Sequence, residues 1–241
     1  MGSRKRKITK PLAIGERERP VGFLKVPDDI DTLPTLALRK GQVLISPATI
    51  DLRDWDLQPK DQGSTPRCAA FAAASYAENL LWRRDSSPTE VKPDWIYTAA
   101  KHLDGDANAA GTTLTAVLQA LLNRGVFDKE YCKIKVLRTV EQVRFAIHKY
   151  GTCLIGVMVT REYYKCNRNK HSVCGEGDQT SLGGHAMQCV GFDRNGLYCR
   201  NSWGADYGYD GNIVIAWPQF EKQFVYGATL DNPLYDFHIR D

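Results

Sequence analysis

Residues 61–78 read DQGSTPRCAAFAAASYAE, a polar loop that leads into an alanine-rich run beginning at a cysteine. Residues 69–82 have high helix propensity and a single charged side chain, so they predict a buried helix with Cys68 in its first turn. Pro66 fits the start of such a helix because a proline loses no helical hydrogen bond there. The partial positive charge of a helix N-terminus favours a thiolate, which makes Cys68 a candidate nucleophile.

The composition is that of a globular chain with one large core or two lobes. The chain has 241 residues, of which 43% are hydrophobic and 25% are charged. Its net charge of +4 comes from residues 1–20, which hold seven Lys or Arg against two Glu. The rest of the chain lacks the basic charge that phosphate-backbone binding requires, so we do not expect nucleic acid as a partner.

No segment has the pattern of an export signal or a membrane span. Residues 1–20 contain no apolar run of signal-peptide length, and no apolar stretch of about 18 residues occurs later. We therefore expect neither Sec-type export nor a membrane partner. A cytoplasmic location and export by another route are both compatible with the residues.

A change in composition near residue 48 divides the chain. Residues 1–48 are rich in proline and charge, whereas residues 49–241 have the pattern of a folded domain. Helices are predicted at 113–123 and 139–150, strands at 153–159, 185–192, 197–201 and 212–216, and a hairpin turn at 193–196. A helical half followed by a β half predicts an α+β fold of two facing lobes.

The seven cysteines are an odd number, so at least one thiol has no disulfide partner within the chain. Cys166 and Cys174 lie in a polar loop, where a local disulfide and free thiols are both compatible with the sequence. With His171 between them they offer three zinc ligands, but a structural zinc site normally needs four. We therefore expect no metal site.

His185 is the histidine best placed to assist a cysteine nucleophile. It begins an apolar strand behind Gly183 and Gly184, whose small size leaves room for a substrate. The other four histidines lack such a setting. An imidazole beside Cys68 would favour the thiolate and would supply a proton to a leaving amine.

Three segments together resemble the papain-like cysteine peptidases. Residues 61–78 resemble the nucleophile segment of that family. SLGGHAMQCVGFD, residues 181–193, resembles its histidine strand, and YCRNSWGADYGYDGNIVI, residues 198–215, resembles its asparagine segment. The Leu-Gly-Gly-His approach and the Gly-Thr-Thr at 111–113 look like bacterial members.

The order and spacing of the segments agree with the resemblance. His185 and Asn201 lie 117 and 133 residues after Cys68, against roughly 130–150 residues in the family. The resemblance covers about residues 50–235. It implies a two-lobed papain-like fold, with a helical lobe, a β-barrel-like lobe and an active-site cleft between them.

The resemblance implies a role for each matching residue. Cys68 would be the nucleophile, His185 its proton-transfer partner and Asn201 the residue that orients the histidine. The side-chain amide of Gln62 would join the backbone N–H of Cys68 in an oxyanion hole. Trp203 would shield the hydrogen bond between His185 and Asn201 from water. Chemistry of this kind requires no cofactor.

The implied substrate is an extended peptide or protein. Gly111 and Thr112 stand where the family has a strip that hydrogen-bonds the substrate main chain, a form of strand addition. Gly184 and Trp203 complete the expected substrate-binding positions. Main-chain pairing gives general peptide affinity, and the sequence does not indicate which side chains are preferred.

One feature is a departure from the family motif around the nucleophile, and a second concerns how such an enzyme would be controlled. The family's usual Cys-Gly-Ser-Cys-Trp is replaced by Thr-Pro-Arg-Cys-Ala at residues 65–69, which lacks the upstream disulfide cysteine and the aromatic residue. Residues 1–48 are expected to be an inhibitory pro-segment, with Gly22–Pro27 lying in the cleft. The chain would then be a zymogen that its own extension inhibits.

The expected activity is endopeptidase hydrolysis of peptide bonds through a thioester acyl-enzyme. One alternative is a transamidase or transpeptidase, in which an amine replaces water as the acceptor. Another is a non-catalytic peptide-binding pseudoenzyme. Intact Cys68, His185, Asn201 and Gln62 argue against a binder, which has no need of all four.

Overall fold

The computed structural model describes residues 21, 24–38, 48–166, 173–174, 177 and 179–231. Within these residues the helices are α1 (Cys68–Asp85), α2 (Pro93–Leu103), α3 (Leu114–Asn123), α4 (Val140–Tyr150) and α5 (Trp217–Gln223). The strands are β1 (Leu24–Lys25), β2 (Ile50–Asp51), β3 (Thr112–Thr113), β4 (Lys133–Leu137), β5 (Cys153–Thr160), β6 (Val173–Cys174), β7 (Ser181–Phe192), β8 (Gly196–Arg200), β9 (Asn212–Ala216) and β10 (Phe224–Asp231).

The helical lobe is built around α1, which begins at Cys68 as the sequence predicted. Its alanines are almost completely buried, and α2 and α3 pack against it in a shared apolar cluster. Small side chains let these helices approach closely, so α1 serves as the central element of this lobe.

Among the described helices, none combines the length and apolar character needed to cross a lipid bilayer.

Helix α4 has the start and stop signals that the sequence contains. The side chain of Thr139 accepts a hydrogen bond from the Gln142 amide at 3.2 Å, and the Gln142 side chain accepts one from the Thr139 amide at 3.1 Å. This reciprocal pair is a capping box. The helix ends at Gly151, whose φ of 88° suits a residue without a Cβ.

The second lobe is organised by an eight-stranded sheet. Its strand order is β4-β10-β5-β7-β8-β9-β6, with β2 pairing to β7 beside this path. The predicted turn at 193–196 joins β7 to β8, and the Asp193 side chain accepts hydrogen bonds from the amides of Asn195 and Gly196. The α+β architecture predicted from the sequence is therefore confirmed.

The two faces of the β5–β7 pair belong to different lobes. Val157 and Met187 lie in the core of the β lobe, whereas Leu154 and Ala186 belong to the helical-lobe cluster. Because neighbouring side chains on a strand point to opposite faces, consecutive residues of β7 serve the two cores alternately. This arrangement brings residue 185 to the boundary between the lobes.

The cysteines divide into one bonded pair and several buried thiols. Cys166 and Cys174 form a disulfide with a Cα–Cα distance of 5.8 Å, one of the two states that the sequence left open. The other cysteines are reduced and buried, namely Cys68, Cys132, Cys153, Cys189 and Cys199. His171, the third zinc ligand considered from sequence, lies outside the described residues. No group of three metal ligands occurs among the residues that are described.

Candidate active site

Cys68 is the first residue of α1 and only 1% exposed. Its sulfur lies beside the backbone amides of Ala186 and Ala69, in the crevice where α1 meets β7. Burial raises the pKa of the thiol to about 11, although these amides favour the thiolate and oppose the effect. In this closed arrangement the thiol is therefore protonated at neutral pH.

His185 is held by Asn201, which follows the neighbouring strand β8. Nε2 of His185 lies 2.8 Å from Oδ1 of Asn201, and the same oxygen accepts the Ser202 amide at 2.7 Å. An oxygen that accepts from a backbone N–H also accepts from an imidazole N–H, so the proton of His185 belongs on Nε2. The other ring nitrogen, Nδ1, then carries the lone pair that a proton acceptor needs.

The imidazole is completely buried in this state. Burial lowers the pKa of His185 to about 4, while the hydrogen bond to Asn201 opposes the shift. Within the described part of the chain, Nδ1 has no hydrogen-bond partner. The ring is therefore neutral, correctly protonated for a base, and has one nitrogen available.

Trp203 covers the histidine from the side of the β lobe. Its ring centroid lies 5.0 Å from that of His185, and the indole is almost completely buried. Tyr164 stacks on the indole at 5.3 Å, and Tyr207 meets it edge-on at 4.7 Å. These rings exclude water from the region of the His185–Asn201 hydrogen bond, and the sequence had indicated only Trp203.

Gln62 is fixed in orientation by contacts on both sides of its amide. Oγ of Ser202 donates to Oε1 of Gln62 at 2.6 Å, and Nε2 of Gln62 donates to the carbonyl of Thr65 at 2.9 Å. One amide hydrogen of Gln62 is left for another acceptor, since the Nε2 group has two. Ser202 thus links the loop before Cys68 to the loop that carries Asn201.

The expected substrate strip at Gly111 and Thr112 is held in place by Lys101, which donates to the Gly111 carbonyl. No sequence pattern had indicated this lysine. Nζ of Lys101 lies 3.1 Å from the Gly111 carbonyl and 3.1 Å from Oδ2 of Asp104. Lys101 is only 8% exposed, so this ammonium is committed to its two partners. Gly111 has a φ of 80°, a conformation that favours glycine.

Residues from the N-terminal extension occupy the space in front of this strip. Strand β1 pairs in parallel with β3, with Leu24 opposite Thr112 and Lys25 opposite Thr113. The hydroxyl of Tyr226 donates to the Lys25 carbonyl at 3.0 Å. An extended segment of the chain is therefore bound by main-chain pairing, as the sequence suggested for a peptide.

The Leu24 side chain lies over two glycines of the β lobe. A Cβ on Gly156 would overlap Cδ2 of Leu24, and a Cβ on Gly184 would lie 3.1 Å from the Leu24 Cβ. Leu24 also packs against the helical-lobe cluster that includes Cys68 and Ala186. Of the residues expected in the cleft, Gly22 and Phe23 lie outside the described part of the chain.

The arrangement of lobes is shared with solved structures of similar topology. Xylellain, a cysteine protease from Xylella fastidiosa, matches with a TM-score of 0.69 at 18% identity, over 90% of this chain and 98% of that one. Procathepsin B S9 from Trypanosoma congolense matches with a TM-score of 0.67 at 15% identity, over 87% and 85%. A recombinant stem bromelain precursor matches with a TM-score of 0.66 at 16% identity, over 90% and 85%.

No family model and no curated protein match the chain by sequence. The relationship is therefore one of architecture. Two lobes, a cysteine at the start of the central helix and a histidine on the facing sheet define a fold of the papain-like class. The chain has this papain-like fold, which confirms the fold expected from the sequence.

Proposed function

We propose that this chain is a cysteine endopeptidase in which Cys68 is the nucleophile, His185 the proton carrier and Asn201 the residue that orients His185. The observation that carries the proposal is the 2.8 Å hydrogen bond between Nε2 of His185 and Oδ1 of Asn201. The Nε2 proton of His185 is committed to Asn201, and Nδ1 carries a lone pair that no other group of the described residues engages. The Cys68 sulfur lies beside the backbone of Ala186, the residue that follows His185. Nucleophilic catalysis by cysteine requires a thiol served by an oriented imidazole of this kind.

The reaction follows from these positions. Nδ1 of His185 takes the thiol proton, and the sulfur of Cys68 attacks the carbonyl carbon of the scissile bond. The protonated His185 then donates to the leaving nitrogen as the C–N bond breaks, leaving a thioester on Cys68. Water next attacks the thioester carbonyl, His185 accepts a proton from it, and the acid product leaves.

The negative oxygen that forms during each attack needs hydrogen-bond donors. The backbone N–H of Cys68 and the remaining amide hydrogen of Gln62 are the donors that we assign to it. The contact with Ser202 holds the Gln62 amide in one orientation before the substrate arrives. Preorganised donors of this type contribute about 2.7–4 kcal/mol each to transition-state stabilisation.

The substrate main chain would pair with the strip at Gly111 and Thr112, the surface that β1 now occupies. Gly184 and Trp203 would border the path of the substrate beside His185. Gly184 suits an extended peptide because it has no side chain, and the buried Trp203 would act through its packing against His185. We infer that the substrate is a peptide or protein that binds by strand addition.

The N-terminal extension would act as an inhibitor of this site. Leu24 and Lys25 lie on the proposed substrate strip, and Cys68 and His185 are completely covered. In the covered site the thiol has a pKa of about 11 and the imidazole one of about 4, so both are neutral. Displacement of β1 would hydrate both groups and would let Nδ1 of His185 take the thiol proton when a substrate binds.

The test uses the full chain and a variant with an opened cleft, Leu24→Ala. Each is treated with iodoacetamide and with a peptidyl epoxide, and adducts are counted by intact mass. Hydrolysis of fluorogenic peptides is measured in parallel. We expect one adduct and peptide cleavage in the opened chain, and neither after Cys68→Ala is added.

Cys132→Ala is the matched control, because Cys132 is reduced and only 1% exposed like Cys68 but lies away from His185. It should leave the adduct and the hydrolysis unchanged. Cleavage that persists after Cys68→Ala would contradict the proposal. Ligation to an added amine in place of hydrolysis would instead identify a transamidase on the same residues.

A further inference from the structure

Apart from Val21, which packs against the β-lobe core, the described residues of the N-terminal extension contact the rest of the molecule in two stretches. The first is formed by Leu24 and Lys25, which lie in the cleft opposite Thr112 and Thr113; below, the strip means these two residues of the extension and not the substrate strip at Gly111 and Thr112. The second begins at Ile30 and ends at Leu36, and we call residues 30–36 the staple. The staple has side chains packed in both cores, whereas Leu24 of the strip packs against the helical-lobe cluster beside the candidate active site.

Leu36 is part of the β-lobe core. It is only 4% exposed and belongs to the same cluster as Leu137 and Val143. Its amide donates to the Val136 carbonyl at 3.0 Å, and the Val136 amide donates to the Pro34 carbonyl at 2.9 Å. The staple therefore extends the sheet at β4 and inserts a side chain beneath it.

Two residues at the start of α4 hold the staple by its backbone and side chains. Arg138 donates to Oδ1 of Asp31 at 3.1 Å, to the hydroxyl of Thr35 at 3.3 Å and to the carbonyl of Ile30. Nε2 of Gln142 donates to the Leu36 carbonyl at 2.7 Å. Gln142 is also a member of the capping box, so the same amide stabilises α4 and the staple.

The staple also reaches the other lobe. Ile30 and Leu33 pack against the helical-lobe cluster, while Leu36 lies in the β-lobe core. A segment with apolar anchors in both cores stabilises the pairing of the lobes. Its removal would expose apolar surface on both of them.

The stretch between strip and staple has no side chain in either core. Val26 is 45% exposed, and Asp28 and Asp29 are exposed as well. Pro27, Asp28 and Asp29 line a cavity of about 650 Å³ between the extension and α3, together with Leu33 and Pro34 of the staple. Exposed and poorly packed turns are the preferred sites of proteolytic cleavage.

From these contacts we propose that the extension is bipartite and that activating cleavage falls within Val26–Asp29. Water adds across one peptide bond there, under the action of an endopeptidase, and gives a free carboxylate and a free amine. The strip then leaves the cleft, while the staple stays as a permanent part of the active enzyme. This proposal rests on the proposed function, and it places the end of the inhibitory segment well before residue 48.

The experiment compares the same substitution at two leucines of the full chain. Leu24→Ala removes a side chain from the strip, and Leu36→Ala removes one from the staple. We expect Leu24→Ala to raise the rate of Cys68 alkylation by iodoacetamide about tenfold or more and to change the midpoint of thermal unfolding by no more than about 2 °C. Leu36→Ala should lower that midpoint by about 4–10 °C, without raising the alkylation rate of the folded protein.

Limited digestion of the full chain supplies the second arm. A peptidase that cuts after acidic residues should cleave at Asp28 or Asp29, and the new N-terminus is identified by mass. The cut protein should keep its midpoint of thermal unfolding, and iodoacetamide should alkylate its Cys68 faster than in the uncut chain. The double variant Asp28→Ala/Asp29→Ala should show no such increase in alkylation rate after the same digestion.

The proposal is overturned if Leu36→Ala exposes Cys68 as strongly as Leu24→Ala does, because strip and staple would then be one inhibitory unit. It is also overturned if Cys68 becomes reactive only after cleavage beyond residue 36. Both readouts follow alkylation and unfolding rather than catalysis. If strip and staple behave as proposed but the chain cuts no peptide, the result therefore counts against the proposed function alone.

Discussion

Oδ1 of Asn201 accepts two hydrogen bonds, from Nε2 of His185 at 2.8 Å and from the Ser202 amide at 2.7 Å. The backbone donor fixes which end of the Asn201 side chain faces the ring. That orientation in turn fixes the tautomer of His185, with the proton on Nε2 and the lone pair on Nδ1. The chemistry of the site therefore depends on a main-chain contact one residue beyond Asn201.

The first prediction concerns Asn201→Ala in the Leu24→Ala background. Loss of the acceptor leaves the imidazole free to rotate and to adopt the wrong tautomer. A hydrogen bond to a group that becomes charged contributes about 1.5–3 kcal/mol, so kcat/KM should fall about tenfold to a hundredfold. Steady-state hydrolysis of a fluorogenic peptide measures the change.

Asn201→Asp is the matched control for that prediction. Its carboxylate still accepts the Nε2 proton, and it should retain more activity than Asn201→Ala. The negative charge also favours imidazolium, so the acidic limb of the pH–rate profile should move upward. Equal activity in the parent and in Asn201→Ala would remove Asn201 from the mechanism.

The second prediction separates the donor role of Gln62 from its packing role. Gln62→Ala removes the proposed oxyanion donor, and kcat should fall about a hundredfold to a thousandfold with little change in KM. Ser202→Ala leaves the amide in place but removes the 2.6 Å contact that orients it, so its effect on kcat should be smaller. Equal losses in the two variants would indicate that Gln62 acts only through packing.

Part of the fold around the candidate site could be predicted because its residues lie in local patterns, whereas the roles of His185, Asn201 and Gln62 were implied by the family resemblance and stay predictions. The helix that begins at Cys68 follows from the alanine-rich run, and the capping box of α4 follows from Thr139 and Gln142 at fixed spacing. Helix α2 was missed although Pro93 and Asp94 are good first-turn residues, because the apolar pattern after them is short. Strand β10 was missed as well, since a glycine interrupts its alternation.

The contacts that the sequence did not reveal depend on residues far apart in the chain. Tyr226 accepts from the Leu114 amide at 2.7 Å and donates to Lys25, although it follows these residues by more than a hundred positions. Lys101 has the pattern of a surface lysine on a helix, yet it is buried beneath the Gly111 carbonyl. Such contacts arise only when the lobes meet.

The third prediction concerns the fit of Leu24 over Gly156. Gly156→Ala introduces a Cβ that overlaps Cδ2 of Leu24, and the residue is not in the left-handed region, so its backbone accepts alanine without strain. The new methyl should displace the strip and raise the rate of Cys68 alkylation in the full chain. Iodoacetamide labelling followed by intact mass measures that rate.

The control for that prediction is a double-mutant cycle with Leu24→Ala. Alanine at position 24 has no Cδ2, so adding Gly156→Ala to Leu24→Ala should give no further increase in alkylation. The two substitutions should therefore be strongly non-additive. Additive effects would mean that Gly156→Ala opens the cleft by some route other than the contact with Leu24.

The fourth prediction is that acid opens the cleft. In the closed state burial lowers the pKa of His185 to about 4, whereas a hydrated imidazole has a pKa of about 6.5. Between these values the open state binds a proton that the closed state does not bind. The stability of the closed state is therefore lost as the pH falls from about 6.5 to about 4, by at most about 3 kcal/mol.

Hydrogen exchange followed by mass spectrometry separates this effect from general unfolding. Exchange corrected for its intrinsic pH dependence should increase in the strip between about pH 6.5 and pH 4, while the staple at residues 30–36 stays protected. His185→Gln should abolish the increase, because glutamine does not titrate. The ion pair with Lys25 lowers the pKa of the Asp106 carboxyl below its usual range. Protonation of Asp106 therefore breaks this ion pair only at a more acidic pH. An increase that persists in His185→Gln would assign the opening to that pair or to another carboxyl, and not to the histidine.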